Sequence, residues 1–391
     1  MKILKVKRNW FKESGQRLDA SYYLSDGPLT KIILEKSPYP LTTLSKETKE
    51  LYKGNIFKRV YVDNPNTGYP FMTASDMMKS NLNSGKFVSK KYTDVANLMV
   101  DENWILTTRS GTLGNTVYTN EAFKNFLVTD DLIRIIPNNN KVNGGFLYAY
   151  LTSKYGNGLL TQSSYGGVVK HIEPHHIESL PIPVFPIDKQ TKIDQLIVES
   201  SKLRAQANDL LQKSHLTLFE AIQYKRTENK NTTNLKTILS SHQIRFESSY
   251  YTSEGYQIQN FIRNKSYKNL IEISEEIYRP GIFKRHYIEK GVEFFGGAEI
   301  MKAIPQSEKK LSIAKTKHLE SLKIEEDQIL VTCGGTIGKT VLVNRFLAGK
   351  AASQHILRVK AKGIKTGYLF AFMSSDLGLK IMESFTYGSV I

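Results

Sequence analysis

The stretch Cys333-Gly-Gly-Thr-Ile-Gly-Lys-Thr340 has the residue types nearest to a phosphate cradle. A P-loop needs glycine at its first position and a helix after it, so that the helix amides face the phosphate. Here Cys333 stands first, and Thr340-Val-Leu-Val343 reads as strand. A second copy of the loop, at 109–116, carries Asn115 where Lys339 stands. Gly-Thr-x-Gly between two strands therefore reads as a tight turn with glycines at positive φ. The loop at 334–340 leaves a nucleotide-binding enzyme as the alternative reading. A second candidate is His171, His175 and His176 with Glu173 and Glu178. Short-loop histidines suit a metal, but Pro174 interrupts them and third and fourth ligands are not evident, so the segment reads as a polar linker. No Asn-Pro-Pro-Tyr-like tetrapeptide suits methyl transfer to bases, and no carboxylate–lysine cluster of nuclease type recurs. The sequence assigns this chain no catalytic residue, no metal ligand and no cofactor of its own.

What remains is charge. Among 391 residues, 54 Lys and Arg outweigh 37 Asp and Glu, for a net +17. That surplus favours a polyanion partner, most often nucleic acid. Lys58-Arg59 and Lys284-Arg285 each follow an Ile-Phe pair that reads as buried, and their recurrence points to phosphate contacts. Arg109 could read a guanine edge; its counterpart is Cys333, a difference suited to two readers with different base preferences. Ser110 and Thr112 in the first turn, Thr336 and Lys339 in the second, and Tyr165 and Lys170 further on complete the candidate DNA contacts. The lone cysteine excludes an internal disulfide and fits a reducing, cytoplasmic setting. No apolar run is long enough to span a membrane, and the N-terminus lacks the apolar core of a signal peptide.

The elements that carry these residues occur twice. QRLDASYYL at 16–24 answers IRFESSYYT at 244–252, pairing Arg17 with Arg245 and Asp19 with Glu247. Ile56-Phe57-Lys58-Arg59 answers Ile282-Phe283-Lys284-Arg285, and NWILTTRSGTLGNTVYT at 103–119 answers DQILVTCGGTIGKTVLV at 327–343. LIRII at 132–136 answers ILRVK at 356–360, keeping Arg134 and Arg358; GFLYAYLTS at 145–153 answers GYLFAFMSS at 367–375; YGGVV at 165–169 answers YGSVI at 387–391. All six pairs keep one order at offsets of 222 to 228 residues, so the unit is a duplicated domain. Within each copy, 104–108, 132–136 and 329–331 read as strands, and 16–24 as a strand or turn. The segments 145–154 and 367–375 read as short helices with aromatic stripes. The segments 63–90 and 289–316 align worst and read as loops with short elements, where two readers would differ.

Between the copies, 187–225 contains neither Pro nor Gly and reads as one helix, about 57 Å long. Leu196, Leu203, Leu210 and Leu218 form a seam interleaved with the small residues Ser200, Ala207 and Ser214, suited to a partner helix. The second copy stops at Ile391 with no following helix, so another polypeptide is expected to supply one unless the chain is cut short.

This arrangement resembles the specificity subunits of type I restriction-modification systems. The features that carry the likeness are the duplicated strand–Gly-Thr-x-Gly–strand element, the strand bearing Arg134 or Arg358, and the aromatic helix with its Tyr-Gly-x-Val ending. Leu180-Pro-Ile-Pro-Val-Phe-Pro186 resembles the family's entry to its spacer helix; Lys189 stands where that family favours an acid. The resemblance implies an α+β chain: two homologous α/β target recognition domains, 1–182 and 229–391, joined by a long coiled-coil-type helix at 183–228. It further implies double-stranded DNA as ligand, read as a bipartite site, and DNA methyltransferase subunits as partners. S-adenosylmethionine belongs to those partners, and a restriction or translocase subunit is a further implied partner. A scaffold that binds DNA through charge alone is the remaining alternative.

Overall fold

The computed structural model describes residues 5–13, 16, 18, 20–162, 171–225, 232–241 and 244–386. They divide into two units, Met1–Asp209 and Leu210–Ile391. Arg17, Asp19, Tyr165, Lys170 and both Tyr-Gly-x-Val endings lie outside the described residues.

The first unit comprises α1 (Asp26–Glu35), β1 (Thr48–Lys53), β2 (Tyr61–Val62), β3 (Gly68–Met72), β4 (Phe87–Ser89), β5 (Ile105–Thr108), β6 (Thr116–Tyr118), β7 (Leu127–Val128), β8 (Leu132–Pro137), α2 (Gly144–Thr152) and α3 (Lys154–Thr161). Its main sheet has the order β1-β8-β5-β6, all antiparallel. A smaller sheet runs β2-β4-β3-β7, with β3 and β7 parallel. β5 is buried on both faces, which explains its unbroken Ile-Leu-Thr-Thr run. Alternation along β5 and β8 sends Ile105, Ile133 and Ile135 towards Phe146, Leu147 and Leu151 of α2. Leu106 and Leu132 point the other way, onto Met72 and Val128 of the smaller sheet.

The linking helix α4 runs Ile187–Ile222, so its 36 residues extend about 54 Å and the unit boundary falls inside it.

The second unit repeats the first in α5 (Glu254–Arg263), β9 (Ser274–Tyr278), β10 (Tyr287–Phe295), β11 (Lys310–Leu311), β12 (Ile329–Thr332), β13 (Thr340–Leu342), β14 (Ala351–Ala352), β15 (Ile356–Ala361), α6 (Thr366–Ser374) and α7 (Asp376–Ser384). Its main sheet is β9-β15-β12-β13, and the register matches: Leu106 faces Arg134 and Leu330 faces Arg358.

Two expectations need correction. The segments read as strand or turn at 16–24 and 244–252 are short helices over Ala20–Tyr23 and Ser248–Thr252. Ile56 and Ile282 are not buried but 81% and 94% exposed. The poorly aligned segments are loops with short elements, as read, and each carries an acid–lysine pair, Asp76–Lys86 at 3.2 Å and Glu299–Lys309 at 3.0 Å.

Asp76 is 1% exposed, and burial alone would raise its carboxyl. Hydrogen bonds from Lys79 and Thr73, with the Lys79 charge, outweigh that and hold it at about 2. A folded value below the unfolded 3.8 stabilises the unit above that pH, and the contribution is lost as pH falls through about 2. Asp76→Asn is therefore expected to cost about 1–3 kcal/mol at pH 7. Paired melts should show the deficit shrinking between pH 4 and pH 2; a deficit that does not change with pH would contradict this account.

Candidate nucleic-acid interface

The hairpin loop after β5 is built on Thr108, whose hydroxyl donates to the Thr112 carbonyl at 2.5 Å and accepts from the Asn115 amide at 3.1 Å. Thr332 does the same with the Thr336 carbonyl and the Lys339 amide, at the same distances. Gly114 and Gly338 take φ of +78° and +77° there, which an L side chain resists. The loop at 334–340 is thus a turn between β12 and β13, with no helix to aim amides at a phosphate. Thr112 and Thr336 are exposed at the tips, whereas Ser110 and Lys339 are half-buried.

The two recurring arginines of β8 and β15 are wholly buried. Arg134 donates through Nη1 to the carbonyls of Thr129 and Leu132 (3.3 and 2.9 Å) and through Nη2 to those of Leu98 and Val128 (3.3 and 3.0 Å). Arg358 reaches Ser353, Ile356, Leu322 and Ala352 in the same pattern. Each also lies over a tyrosine, Tyr52 at 6.0 Å and Tyr278 at 5.7 Å. Fully buried, with Nη1 and Nη2 donating to carbonyls and Nε enclosed without a partner among the described residues, these guanidiniums clamp the fold and are closed to DNA.

Beside each clamp lies a surface group. Arg59 crosses the rings of Phe57 and Phe71 (5.9 and 5.7 Å) to meet Asp130 at 2.9 Å and Thr129 at 3.0 Å. Arg109, its side chain 11% exposed, pairs with Asp131 at 3.4 Å and with Glu173, which also binds Lys53 at 3.1 Å. The Ser110 hydroxyl donates to Asp131 at 3.1 Å. Arg109 is therefore no free guanine reader: its Nη1 and Nη2 donate to carboxylates and its Nε is buried. Glu173, taken from sequence as part of a polar linker, serves this group, and hydrogen bonds from Arg109 and Lys53 hold its carboxyl down against the opposing effect of burial. In the second unit Arg285 crosses Phe294 at 5.5 Å and meets Gln354 at 3.4 Å, with His355 next to it. Lys58 and Lys284 are exposed, and neither has an ion pair among the described residues. Asp130, Asp131, Gln354 and His355 escaped the sequence reading because they lie in LVTDDLIRII and AASQHILRVK, where the acids are replaced by neutral residues and nothing marks the site. Among the described residues no group of three or more His, Cys, Asp or Glu side chains is placed to hold a metal.

Along α4, Gln190, Asp194, Ile197, Ser201 and Asn208 face the first unit at helical spacing: Asp194 accepts from the Gly145 amide at 2.7 Å, and the Ser201 carbonyl accepts from Asn120 at 3.0 Å. Leu196, Leu203 and Leu210 lie on another face, 73%, 55% and 65% exposed. Leu218 departs from that seam; it is 8% exposed, buried within the second unit.

Residues 46–206 match the family model of the Type I restriction modification DNA specificity domain. The chain carries a type I restriction-modification DNA specificity domain. That specificity domain spans β1 to the first half of α4, including Arg59, Arg109 and the Arg134 clamp. Among solved structures, the chain is similar to a type I restriction-modification S subunit from M. genitalium, at 13% identity over 89% of this chain and 79% of that one, with a TM-score of 0.35. It is also similar to an HsdS subunit from Thermoanaerobacter tengcongensis, at 12% identity over 90% and 82% of the two chains, with a TM-score of 0.31. Comparison with curated proteins finds no match. No helix among the described residues is long and apolar enough to cross a membrane.

Proposed function

We propose that this chain is the DNA specificity subunit of a cytoplasmic restriction-modification complex, recognising a bipartite site with one half per unit. The observation that carries the reading is a DNA specificity domain on a chain of net charge +17 whose second unit repeats the first unit's main sheet. Exposed lysines such as Lys58 and Lys284 would set register on phosphates, and side chains of the neighbouring turns would read bases. The chain performs no catalysis itself in this reading; α4 docks methyltransferase subunits, which bring S-adenosylmethionine, and a restriction subunit joins the same assembly. The nucleotide-enzyme alternative loses its footing because Lys339 lies in a hairpin turn.

Selection from duplexes with two randomised half-sites and a variable gap tests the proposal. Two defined half-sites at one gap length are expected, with each wrong base pair weakening binding about 5- to 200-fold, the equivalent of about 1–3 kcal/mol. Affinity that follows salt alone, without base or gap preference, would instead identify a charge-driven scaffold.

A further inference from the structure

In each unit three residues join the short strand to the long one, the last two forming a turn: Asp130-Asp131 between β7 and β8, and Gln354-His355 between β14 and β15. The buried arginine grips the carbonyls on both sides of that turn, at Val128, Thr129 and Leu132 in one unit and at Ala352, Ser353 and Ile356 in the other. The turn is thus fixed at its base, with Asp130 buried, Asp131 and Gln354 half-buried and His355 exposed. The first residue of the neighbouring hairpin loop is tied to it through backbone: the Arg109 amide donates to the Asp131 carbonyl at 3.3 Å, and the Cys333 amide to that of His355 at 2.9 Å. Arg59 and Arg285 reach the first turn residue over equivalent rings.

Against this repeated frame, three adjacent side chains change in kind. Arg109, Asp130 and Asp131 in the first unit become Cys333, Gln354 and His355 in the second. The second unit builds the same turn without a carboxylate at these positions, so the scaffold does not need the acids. In the first unit Lys53, Arg59 and Arg109 are met by Asp130, Asp131 and Glu173; in the second, Arg285 meets a neutral amide. On this rigid turn the outward residues, Asp131 with its side chain 36% exposed and the exposed His355, are available for recognition.

We infer that these three positions form an interchangeable base-reading cassette, clamped from below by the buried arginine. The inference rests on the reading of this chain as a DNA specificity subunit. Carboxylates only accept, so Asp131 suits the amino groups of cytosine or adenine, while the largely buried Arg109 pairs with it and the buried Asp130 anchors Arg59. Gln354 suits the adenine N6/N7 edge, and His355 can donate to a purine N7. The two half-sites should therefore differ at the base pairs these turns face.

The test is half-site selection by the full chain in its native complex, comparing wild type with the triple variant Arg109→Cys, Asp130→Gln, Asp131→His. The variant is expected to keep the second half-site and the gap. In the first half-site, preference should move towards the bases chosen by the second unit, by at least about tenfold at one or more positions. An unchanged first half-site in a folded variant overturns the cassette and leaves the specificity reading standing. A wild type without any base preference overturns the specificity reading itself. The reciprocal variant, Cys333→Arg with Gln354→Asp and His355→Asp, is the second arm, read against the second half-site in the same way should the first variant melt early.

Discussion

Arg134→Leu is expected to unfold the first unit while the second stays folded, and Arg358→Leu to do the converse. One guanidinium supplies donors to four backbone carbonyls in each unit, and both side chains are fully buried. Leucine fills part of the volume but donates nothing. Even two carbonyls left without a partner cost about 2–6 kcal/mol, a large share of the roughly 5–15 kcal/mol that holds a domain together. Burial pushes the Arg134 guanidinium down to about 10, with Tyr52 and Asp130 opposing, so it remains charged at neutral pH. Lysine should not rescue the loss, because one ammonium cannot bridge carbonyls on both sides of a turn as a planar fork does. Limited proteolysis and two-transition calorimetry provide the measurement. A melting temperature for the first unit within about 2 degrees of wild type would show that the clamp is dispensable.

The triple variant Leu196→Glu, Leu203→Glu, Leu210→Glu is expected to abolish assembly with partner subunits while leaving this chain folded. At 73%, 55% and 65% exposure these leucines contribute little to the isolated chain, and exposed substitutions usually shift stability by about 0.5 kcal/mol or less. Burial of their remaining exposed surface against a partner helix would contribute about 1–2 kcal/mol per leucine. Loss of all three weakens association about 100-fold or more, since 1.4 kcal/mol is tenfold. Co-purification of tagged chain with its partners reports the result directly. Full recovery of partners with the variant would remove this face from assembly and leave the seam unexplained. Leu218→Glu serves as the contrast: it lies in the second unit's interior and should destabilise the chain itself.

Much of the scaffold was legible in the residues. β5 and β12 announce themselves by Ile-Leu-Thr-Thr and Ile-Leu-Val-Thr, uncharged and rich in β-branched residues, and the glycines after them by a turn that needs positive φ. The helix α3 was not legible, because Lys-Tyr-Gly-Asn-Gly-Leu-Leu-Thr carries two glycines that disfavour a helix in isolation. They are there for contact: a Cβ on Gly158 would lie 2.8 Å from that of Asp26, where α3 crosses α1. The site was harder still. Arg59 and Arg109 could be picked out by type, but the carboxylates that engage them come from positions far along the chain, at 130, 131 and 173.

The order and duplication of the motifs, the long uninterrupted helix and the basic surplus were determined by sequence alone, because each is a property of composition and spacing. Which arginines are buried and which face outward was decided only by tertiary structure. Arg59 and Arg134 look alike in a string of letters; one lies over phenylalanine rings at the surface, and the other is enclosed by carbonyls. A guanidinium's role is set by the acceptors that folding brings to it, and those acceptors are backbone atoms that no residue type reveals.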